Sequence, residues 1–412
     1  MQKIAYIFPG QGSQYVGMGK ELCSKSQIAN KIFDEANQIL NYDLKTLCFY
    51  GPENKLRLTE FAQPAILTLS VAVYYTLKNL YSETPEFMSG HSLGEITALV
   101  CSESISFSEG LKLVQKRGQI MGRVTKNIDF AMYAVNNLDS NIIEKEVKSS
   151  PNVSISNFNS PKQTVLCGGK KEVLELVTLF ENNGGTCISL NVSAPFHSKY
   201  MKPAADQLLT HLRNITFNKP SSMILSNYTG KLYSENIVNL LYNQIFMPVQ
   251  WNNCIDYLIN AGVSLIIELG PKQILTNLIN VSHQMVKAMA CENYDDIINV
   301  SNILHEHEKE TQTDIKEKEL SILAKCLSIS VCTPNRNFNN YEYEKGVIEP
   351  YSKLNKMYDN HEVENRILVK FDYIEALKLL KCILNTKKVT NDELLFRVSQ
   401  LIDTPHICNV IS

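Results

Sequence analysis

A serine between two glycines, at the junction of an extended segment and an apolar helix, is the feature that most constrains this chain. The sequence Gly-His-Ser-Leu-Gly occupies 90–94 and precedes an apolar helical pattern at 95–100. Glycines at both ends permit a tight, strained turn that exposes the serine hydroxyl between a strand and a helix. The hydroxyl of Ser92 would also lie near the positive end of the following helix. The pattern therefore predicts a nucleophilic serine at this turn.

Composition restricts the classes of function. With 412 residues, of which 44% are hydrophobic, the chain is long enough for two or three compact units. A net charge of -2 without a basic block argues against nucleic acid as a partner. The eleven cysteines show no CxxC pair and no metal-ligand spacing, and no apolar stretch reaches the roughly 18 residues that span a bilayer. We therefore expect a cytoplasmic protein with reduced thiols, without a metal, a signal peptide or a membrane partner.

Strand patterns alternate with helical patterns over the first two thirds of the chain. An apolar strand at 4–8 leads into a glycine-containing loop at 9–14, and buried-strand patterns return at 223–226 and 265–268. Helical patterns lie between the strands, at 19–40, 63–80 and 108–121. This alternation is typical of an α/β domain with a mainly parallel sheet. Together with the serine turn, it predicts a large subdomain similar to the α/β hydrolases.

The pattern changes near residue 131, where the elements become shorter. Strand and helix patterns follow in the order strand, helix, strand, strand, helix, strand, at 131–135, 142–148, 153–157, 164–167, 171–182 and 187–192. This order is that of a ferredoxin-like unit. We therefore expect a small ferredoxin-like subdomain at 128–195, inserted into a large subdomain formed by 1–127 and 196–285.

The segment 286–412 differs again and is expected to form a C-terminal extension. It contains a strongly charged stretch at 305–319. Two amphipathic helices are predicted, at 373–384 and 391–402. The extension is therefore expected to be mostly helical. The sequence leaves open whether it is a docking element, a dimerisation element or a plain helical appendage.

Four features, the serine turn among them, follow one another along the chain: Gly-Gln-Gly-Ser-Gln at 10–14, Gly-His-Ser-Leu-Gly-Glu at 90–95, Arg117, and Ala-Pro-Phe-His-Ser at 194–198. Together they resemble the malonyl-CoA:acyl-carrier-protein transacylases, including the discrete acyltransferases that serve modular polyketide synthases in trans. The sequences Pro-Val-Gln-Trp at 248–251 and Glu-Leu-Gly-Pro at 268–271 are also similar to that family. The resemblance implies transfer of malonyl from malonyl-CoA to the phosphopantetheine thiol of an acyl carrier protein, in polyketide or fatty-acid biosynthesis.

The resemblance implies a Ser–His pair rather than a triad. Ser92 matches the nucleophile that attacks the thioester, and His197 matches the base that takes its proton and returns it to the departing thiol. The family orients this histidine with a backbone carbonyl, for which Gln250 is the matching residue. The backbone N–H groups of Gln11 and Leu93 match the two donors of the family's oxyanion hole.

Arg117 indicates an acidic substrate. A malonyl group ends in a carboxylate that is ionised at neutral pH, and a guanidinium can hold it through two parallel hydrogen bonds. Arg117 matches the family's carboxylate clamp, whereas the neighbouring Lys112 and Lys116 are expected to be solvated. The resemblance also implies a substrate pocket formed by His91, Met121, Met132, Asn159 and Phe196. Lys199 and Lys202 are candidates for a basic rim that receives the phosphates of coenzyme A and the acidic carrier.

The expected route needs no cofactor, because the coenzyme A thioester is itself a substrate. Malonyl-CoA acylates Ser92, coenzyme A leaves, and the carrier thiol then takes the malonyl group. Two other functions stay open on the residues alone. An acyl hydrolase that edits acyl carrier proteins would share the serine but would have no use for Arg117 on an uncharged chain. A non-catalytic assembly protein would have no use for Ser92 and His197. The pathway, the cognate carrier, the oligomeric state and the tolerance for other acyl-CoAs are not set by the sequence.

Overall fold

Strands and helices alternate through most of the computed structural model, which describes residues 3–124, 129–233, 236–364, 370–399 and 401. The chain divides into two compact units, 2–305 and 306–412. In chain order the first unit contains β1 (Lys3–Phe8), α1 (Lys20–Lys25), α2 (Gln27–Leu40), α3 (Leu44–Tyr50), α4 (Glu53–Leu56), α5 (Thr59–Leu80), β2 (Phe87–Gly90), α6 (Leu93–Cys101), α7 (Phe107–Val124), β3 (Phe130–Asn136), α8 (Ser140–Lys148), β4 (Val153–Ser160), β5 (Gln163–Gly169), α9 (Lys170–Asn182), β6 (Thr186–Ser189), a 3₁₀ turn (Lys199–Met201), α10 (Lys202–Leu212), β7 (Met223–Ile224), α11 (Ile237–Gln244), α12 (Trp251–Asn260), β8 (Val263–Leu269), α13 (Ile274–Ser282), β9 (Lys287–Cys291) and the start of α14 (Tyr294–Cys332). The second contains the end of α14, α15 (Asn340–Tyr343), a π-helical turn (Glu344–Ile348), α16 (Glu349–Glu364), α17 (Lys370–Thr386) and α18 (Asn391–Ser399).

The central sheet of the first unit is parallel, with the strand order β7-β2-β1-β8-β9. Successive side chains of a strand point to opposite faces, so an apolar strand can be buried on both. On β1, Ala5 and Ile7 pack in the cluster that contains Trp251, whereas Tyr6 and Phe8 belong to the larger core on the other face. The predicted α/β class with a parallel sheet is confirmed.

Strand β9 lies beyond the boundary that the sequence suggested for the first unit. The extension was expected to begin at residue 286, yet β9 pairs in parallel with β8. The first turns of α14 then bury Ile297, Val300 and Leu304 in the same core as the sheet. The boundary between the units therefore falls after His305 rather than after residue 285.

A second, separate sheet carries the antiparallel order β4-β5-β3-β6. Helices α8 and α9 cover one side of it, with Ile143, Val173 and Phe180 in the shared core. The element order and the antiparallel pairing are those predicted for the small subdomain. Its β4 strand is tied to the large subdomain, because Phe158 N–H donates to the carbonyl of Val249 at 2.9 Å. This contact joins the small subdomain to the large one through their main chains.

The second unit has an apolar core of its own. Leu323, Cys326, Leu354 and Leu380 are among the buried residues that form it. The ammonium of Lys387 donates to two carbonyls at the end of α14, at 2.6 and 2.7 Å. This part of the chain is helical, as the sequence predicted. Over the described residues, we find no helix with the length and apolar character needed to cross a membrane.

Candidate active site

The turn at 90–94 has the strained geometry that its glycines predict. Ser92 has φ 55° and ψ -100°, a conformation that side-chain-bearing residues rarely adopt. A Cβ at Gly90 would lie 2.0 Å from the carbonyl carbon of Gly94, and one at Gly94 would lie 2.0 Å from the carbonyl oxygen of Phe8. Both positions therefore exclude any side chain. Because Ser92 directly precedes α6, its hydroxyl stands at the helix N-terminus.

The hydroxyl of Ser92 meets an imidazole. Ser92 Oγ lies 2.7 Å from Nε2 of His197, and the other ring nitrogen, Nδ1, lies 2.7 Å from the backbone carbonyl of Gln244. A carbonyl only accepts hydrogen bonds, so Nδ1 carries the proton and Nε2 is free to accept from the hydroxyl. The pair is arranged for proton transfer from Ser92 to His197.

The residue whose carbonyl orients His197 is Gln244, and the prediction of Gln250 is wrong. Gln250 precedes α12, and its carbonyl is engaged by the N–H of Cys254 at 3.0 Å. Gln244 is instead the last residue of α11, where carbonyls have no intrahelical donor. A free helix-end carbonyl is thus available to the histidine at Gln244 and is not available at Gln250.

Arg117 is buried beside the nucleophile, with an exposed fraction of 2%. Its Nη1 donates to Gln63 Oε1 at 2.9 Å, and its Nη2 donates to both Ser92 Oγ and Gln244 Oε1 at 3.0 Å. Its Nε–H is buried without an acceptor within the described residues. Burial lowers the pKa of Arg117 to about 10, which still leaves it charged at neutral pH. The guanidinium, held by neutral amides, can therefore pair with an incoming anion.

The glycine loop approaches the serine turn closely. A Cβ at Gly10 would lie 2.5 Å from the carbonyl oxygen of His91, so the loop main chain packs directly on the turn. The side chain of Gln11 donates to Thr59 at 3.0 Å. In the described part of the chain, the backbone N–H groups of Gln11 and Leu93 have no hydrogen-bond acceptor. Both donors are thus available to an oxyanion, as their predicted role requires.

One cavity of about 590 Å³ opens between the two sheets and contains the reactive groups. Its lining includes Gln11, His91, Ser92, Arg117, Met121, Met132, Asn159, Phe196 and His197. The predicted catalytic and pocket side chains therefore share one site. Lys199 and Lys202, the candidates for a basic rim, do not line it. Their ammonium groups contact the carbonyl of Pro151 and the carboxylate of Asp206. No cluster of three or more His, Cys, Asp or Glu side chains suited to a metal occurs among the described residues.

Comparison with known proteins decides the family. The acyl transferase domain family matches residues 5–317. The chain is 37% identical to the malonyl CoA-acyl carrier protein transacylase of Bacillus subtilis (strain 168) over 304 residues, 72% of this chain and 96% of that protein. This chain belongs to the malonyl-CoA:acyl-carrier-protein transacylase family. It is therefore an acyltransferase by family.

Two other members of the family show the range of the similarity. A polyketide biosynthesis malonyl CoA-acyl carrier protein transacylase of Bacillus subtilis (strain 168) is 37% identical over 293 residues, 69% of this chain and 99% of that protein. The crystal structure of the malonyl CoA-acyl carrier protein transacylase of Clostridium perfringens is 35% identical and superposes with a TM-score of 0.72, covering 75% of this chain and 99% of that one. The family likeness thus spans the first unit.

Sequence reasoning missed the buried polar residues that hold this family member's reactive groups together. Asn227 accepts the N–H of Ser92 at 2.5 Å and donates to the carbonyl of Gly90 at 2.8 Å, which supports the strained turn. The amide nitrogen of Gln244 donates to the carbonyl of Ser92 at 2.8 Å and to Glu95 at 2.9 Å. A single residue, Gln244, thereby contacts the base, the clamp and the nucleophile's peptide. No signal in the sequence singled out Gln244, because the helix at 237–244 also contains Asn239 and Asn243.

Glu95 is the centre of this polar network. It is fully buried and accepts hydrogen bonds from the Tyr233 hydroxyl, the Asn227 N–H and Gln244. Burial raises the pKa of Glu95, while the hydrogen bonds from Tyr233 and Gln244 and the charge of Arg117 oppose that shift. All three partners are donors, which fits a carboxylate that only accepts. The motif at 90–95 contained this residue, but the sequence alone assigned it no role.

The pH dependence of acylation is expected to lack a histidine limb near pH 6.5. Burial, and secondly the charge of Arg117, lower the pKa of His197 to about 3. The neutral, proton-accepting form then persists as the pH falls, whereas at pH 5 a histidine of ordinary pKa would be about 97% protonated. We expect the pre-steady-state rate of acylation by malonyl-CoA to change less than about twofold between pH 7 and pH 5. A fall of about 25-fold over that range would contradict the assignment of His197 as a buried neutral base.

Proposed function

We propose that this chain moves malonyl from malonyl-CoA to the phosphopantetheine thiol of an acyl carrier protein through an acyl-enzyme on Ser92. The observation that carries the proposal is the guanidinium of Arg117, buried in the reactive cavity with Nη2 3.0 Å from Ser92 Oγ. A cation at that distance places the carboxylate of a short diacid thioester beside the nucleophile. Its charge selects malonyl over uncharged acyl groups.

In the first half-reaction, Ser92 Oγ attacks the thioester carbonyl while its proton passes to Nε2 of His197. The N–H groups of Gln11 and Leu93 donate to the oxygen that becomes negative. The carbonyl of Gln244 accepts from Nδ1 and stabilises the imidazolium that forms. When the C–S bond breaks, the leaving thiolate of coenzyme A takes the proton from His197, and malonyl stays on Ser92 as an ester.

In the second half-reaction the roles of thiol and hydroxyl are exchanged. The carrier thiol gives its proton to His197 and attacks the malonyl ester, and Ser92 Oγ recovers the proton as it leaves. Water would compete for the same ester. His197 is 4% exposed and Arg117 is 2% exposed, so the inner end of the cavity is shielded from bulk solvent.

The names of the relatives support the acceptor proposed here. The Bacillus subtilis and Clostridium perfringens proteins are both named malonyl CoA-acyl carrier protein transacylases. A relative named for polyketide biosynthesis is equally similar, so we propose that carriers of fatty-acid synthesis and of polyketide synthase modules are both candidate acceptors.

The route needs no cofactor beyond the thioester. Ten described cysteines are free, which supports the proposed cytoplasmic location.

Intact-mass spectrometry of carrier proteins tests the proposal. Purified holo-carriers of fatty-acid and polyketide type are incubated with the full chain and malonyl-CoA, acetyl-CoA or methylmalonyl-CoA. We expect the malonyl mass increment on at least one carrier, formed much faster with malonyl-CoA than with acetyl-CoA. Apo-carriers, which lack the thiol, are the control and should gain no mass. Faster release of free acid than transfer to any carrier would favour an acyl hydrolase instead.

A further inference from the structure

The cavity that contains Ser92 has a second cationic residue at its outer end. Lys162 lies in the turn between β4 and β5, is exposed, and lines the same cavity as Arg117. The carbonyl of Lys162 accepts the N–H of Asn137 at 2.9 Å, which fixes the turn against the end of β3. Within the described residues, its ammonium group has neither a hydrogen bond nor an ion pair. This cation is therefore available to a ligand.

Side-chain amides form a continuous row along the cavity wall towards that lysine. Next to the nucleophile, Nε2 of His91 contacts Oδ1 of Asn159 at 3.0 Å. Asn159 donates to Gln163 at 2.8 Å, and Gln163 donates to Asn136, also at 2.8 Å. All four residues line the cavity. The row reaches the turn that carries Lys162, because Gln163 is the sequence neighbour of Lys162.

The charge pattern of the lining is one-sided. Arg117 and Lys162 line the cavity, and no Asp or Glu among the described residues does so. From the nucleophile outward, the wall therefore presents a buried cation, a row of amides and an exposed cation. A malonyl thioester of phosphopantetheine presents a carboxylate, two amides and a phosphate in the same order. The two patterns are complementary in the order of their groups.

We propose that Lys162 binds the phosphate at the end of the pantetheine arm. This inference rests on the proposed function, since it takes the thioester of that reaction as the ligand. The phosphate is common to coenzyme A and to the prosthetic group of the carrier, so one lysine serves both half-reactions. A lysine suits this role because its flexible stem brings a point charge to a phosphate that arrives on different carriers.

The test compares two thioesters that differ only in this phosphate, malonyl-phosphopantetheine and malonyl-pantetheine. In the full chain, Lys162→Gln is expected to lower kcat/KM for malonyl-phosphopantetheine about fivefold, the effect of losing an exposed charge pair. The kcat/KM for malonyl-pantetheine should stay unchanged. The loss should shrink as salt is raised, and Lys162→Arg should restore the rate. Lys171→Gln is the matched control, because Lys171 is exposed on the same subdomain and does not line the cavity.

The carrier arm of the test uses the preformed malonyl-enzyme with phosphopantetheine or pantetheine as acceptor. The same selective loss in Lys162→Gln is expected there, and a loss confined to the first arm would overturn the shared role. An equal loss with the phosphate-free compounds, or none with the phosphorylated ones, would overturn the proposal. Titration calorimetry compares the dissociation constants of phosphopantetheine and pantetheine and so measures the same preference without any acyl transfer. It therefore separates a failure of this inference from a failure of the proposed function.

Discussion

Replacing Ser92 with alanine is expected to leave no malonyl on the protein after incubation with malonyl-CoA. The hydroxyl that donates to His197 at 2.7 Å and accepts from Arg117 at 3.0 Å is the group that would carry the ester. Without it, the positioned base has no proton to take, and transfer to a carrier should fall at least about 10⁴-fold. Intact-mass spectrometry of the protein and the rate of carrier acylation measure the two effects.

The companion variant His197→Ala keeps the hydroxyl and removes its base. It should slow acylation by about 10² to 10⁴-fold without moving the site of the ester. Ser24→Ala is a suitable control, because Ser24 is exposed and donates only to the carbonyl of Glu21. Circular dichroism of each variant verifies that the overall secondary structure is retained. Malonyl found on the Ser92→Ala protein would mean that another residue is the nucleophile.

The fold was predictable where the pattern of apolar residues is local and strong. The first strand and the strand at 265–268 were recognisable because every face of a central parallel strand is buried. The helix predicted at 19–40 is in fact two helices, since Ser26 ends α1 and caps α2 through its hydroxyl. Periodicity misses such a break, because both helices bury residues in the same core.

Elements without a one-sided apolar pattern were missed. Strand β9 is an edge strand of five residues with an exposed lysine at its start, too short and mixed to be recognised. Helix α14 runs through the charged stretch at 305–319, where no apolar face marks a helix. Similarly, α16 lies in a segment rich in Asn, Tyr and Lys. Long helices of this kind are stabilised mainly by tertiary packing, such as the buried residues at both ends of α14, which composition alone does not show.

The reactive site also contains residues that local motifs identify and contacts that only the tertiary structure determines. Ser92, His197 and Arg117 stand in recognisable motifs, and the structure brings all three into one cavity. Gln250 also stands in a recognisable motif, yet the carbonyl that faces His197 belongs to Gln244. Which helix end faces a side chain is decided by packing between distant elements. A motif can therefore name a residue type near the site without naming the group that makes the contact.

Replacing Arg117 with methionine is expected to convert the enzyme from malonyl-selective to unselective. Two hydrogen bonds from a buried guanidinium to a carboxylate account for about a thousandfold in kcat/KM, and both are lost. Acetyl-CoA, which has no carboxylate, should be used as fast as before or faster. Lys112→Met is the matched control, because Lys112 is exposed on the same helix. The ratio of kcat/KM for malonyl-CoA and acetyl-CoA measures the effect directly.

The same variant has a structural cost that must be kept apart from selectivity. Methionine leaves the side-chain carbonyls of Gln63 and Gln244 without their donor, at about 1–3 kcal/mol each in buried surroundings. Thermal unfolding should therefore show a lower midpoint, and rates must be compared below it. Arg117→Lys keeps a charge but not two parallel donors. Its ratio of kcat/KM for malonyl-CoA and acetyl-CoA should therefore fall between those of the unmodified enzyme and Arg117→Met. If malonyl and acetyl transfer decline equally in Arg117→Met, the guanidinium supports Ser92 rather than holding a carboxylate. The malonyl assignment would then fail. Arg117 both selects the substrate and contacts Ser92, and only the ratio of kcat/KM for malonyl-CoA and acetyl-CoA separates selection from support of the nucleophile.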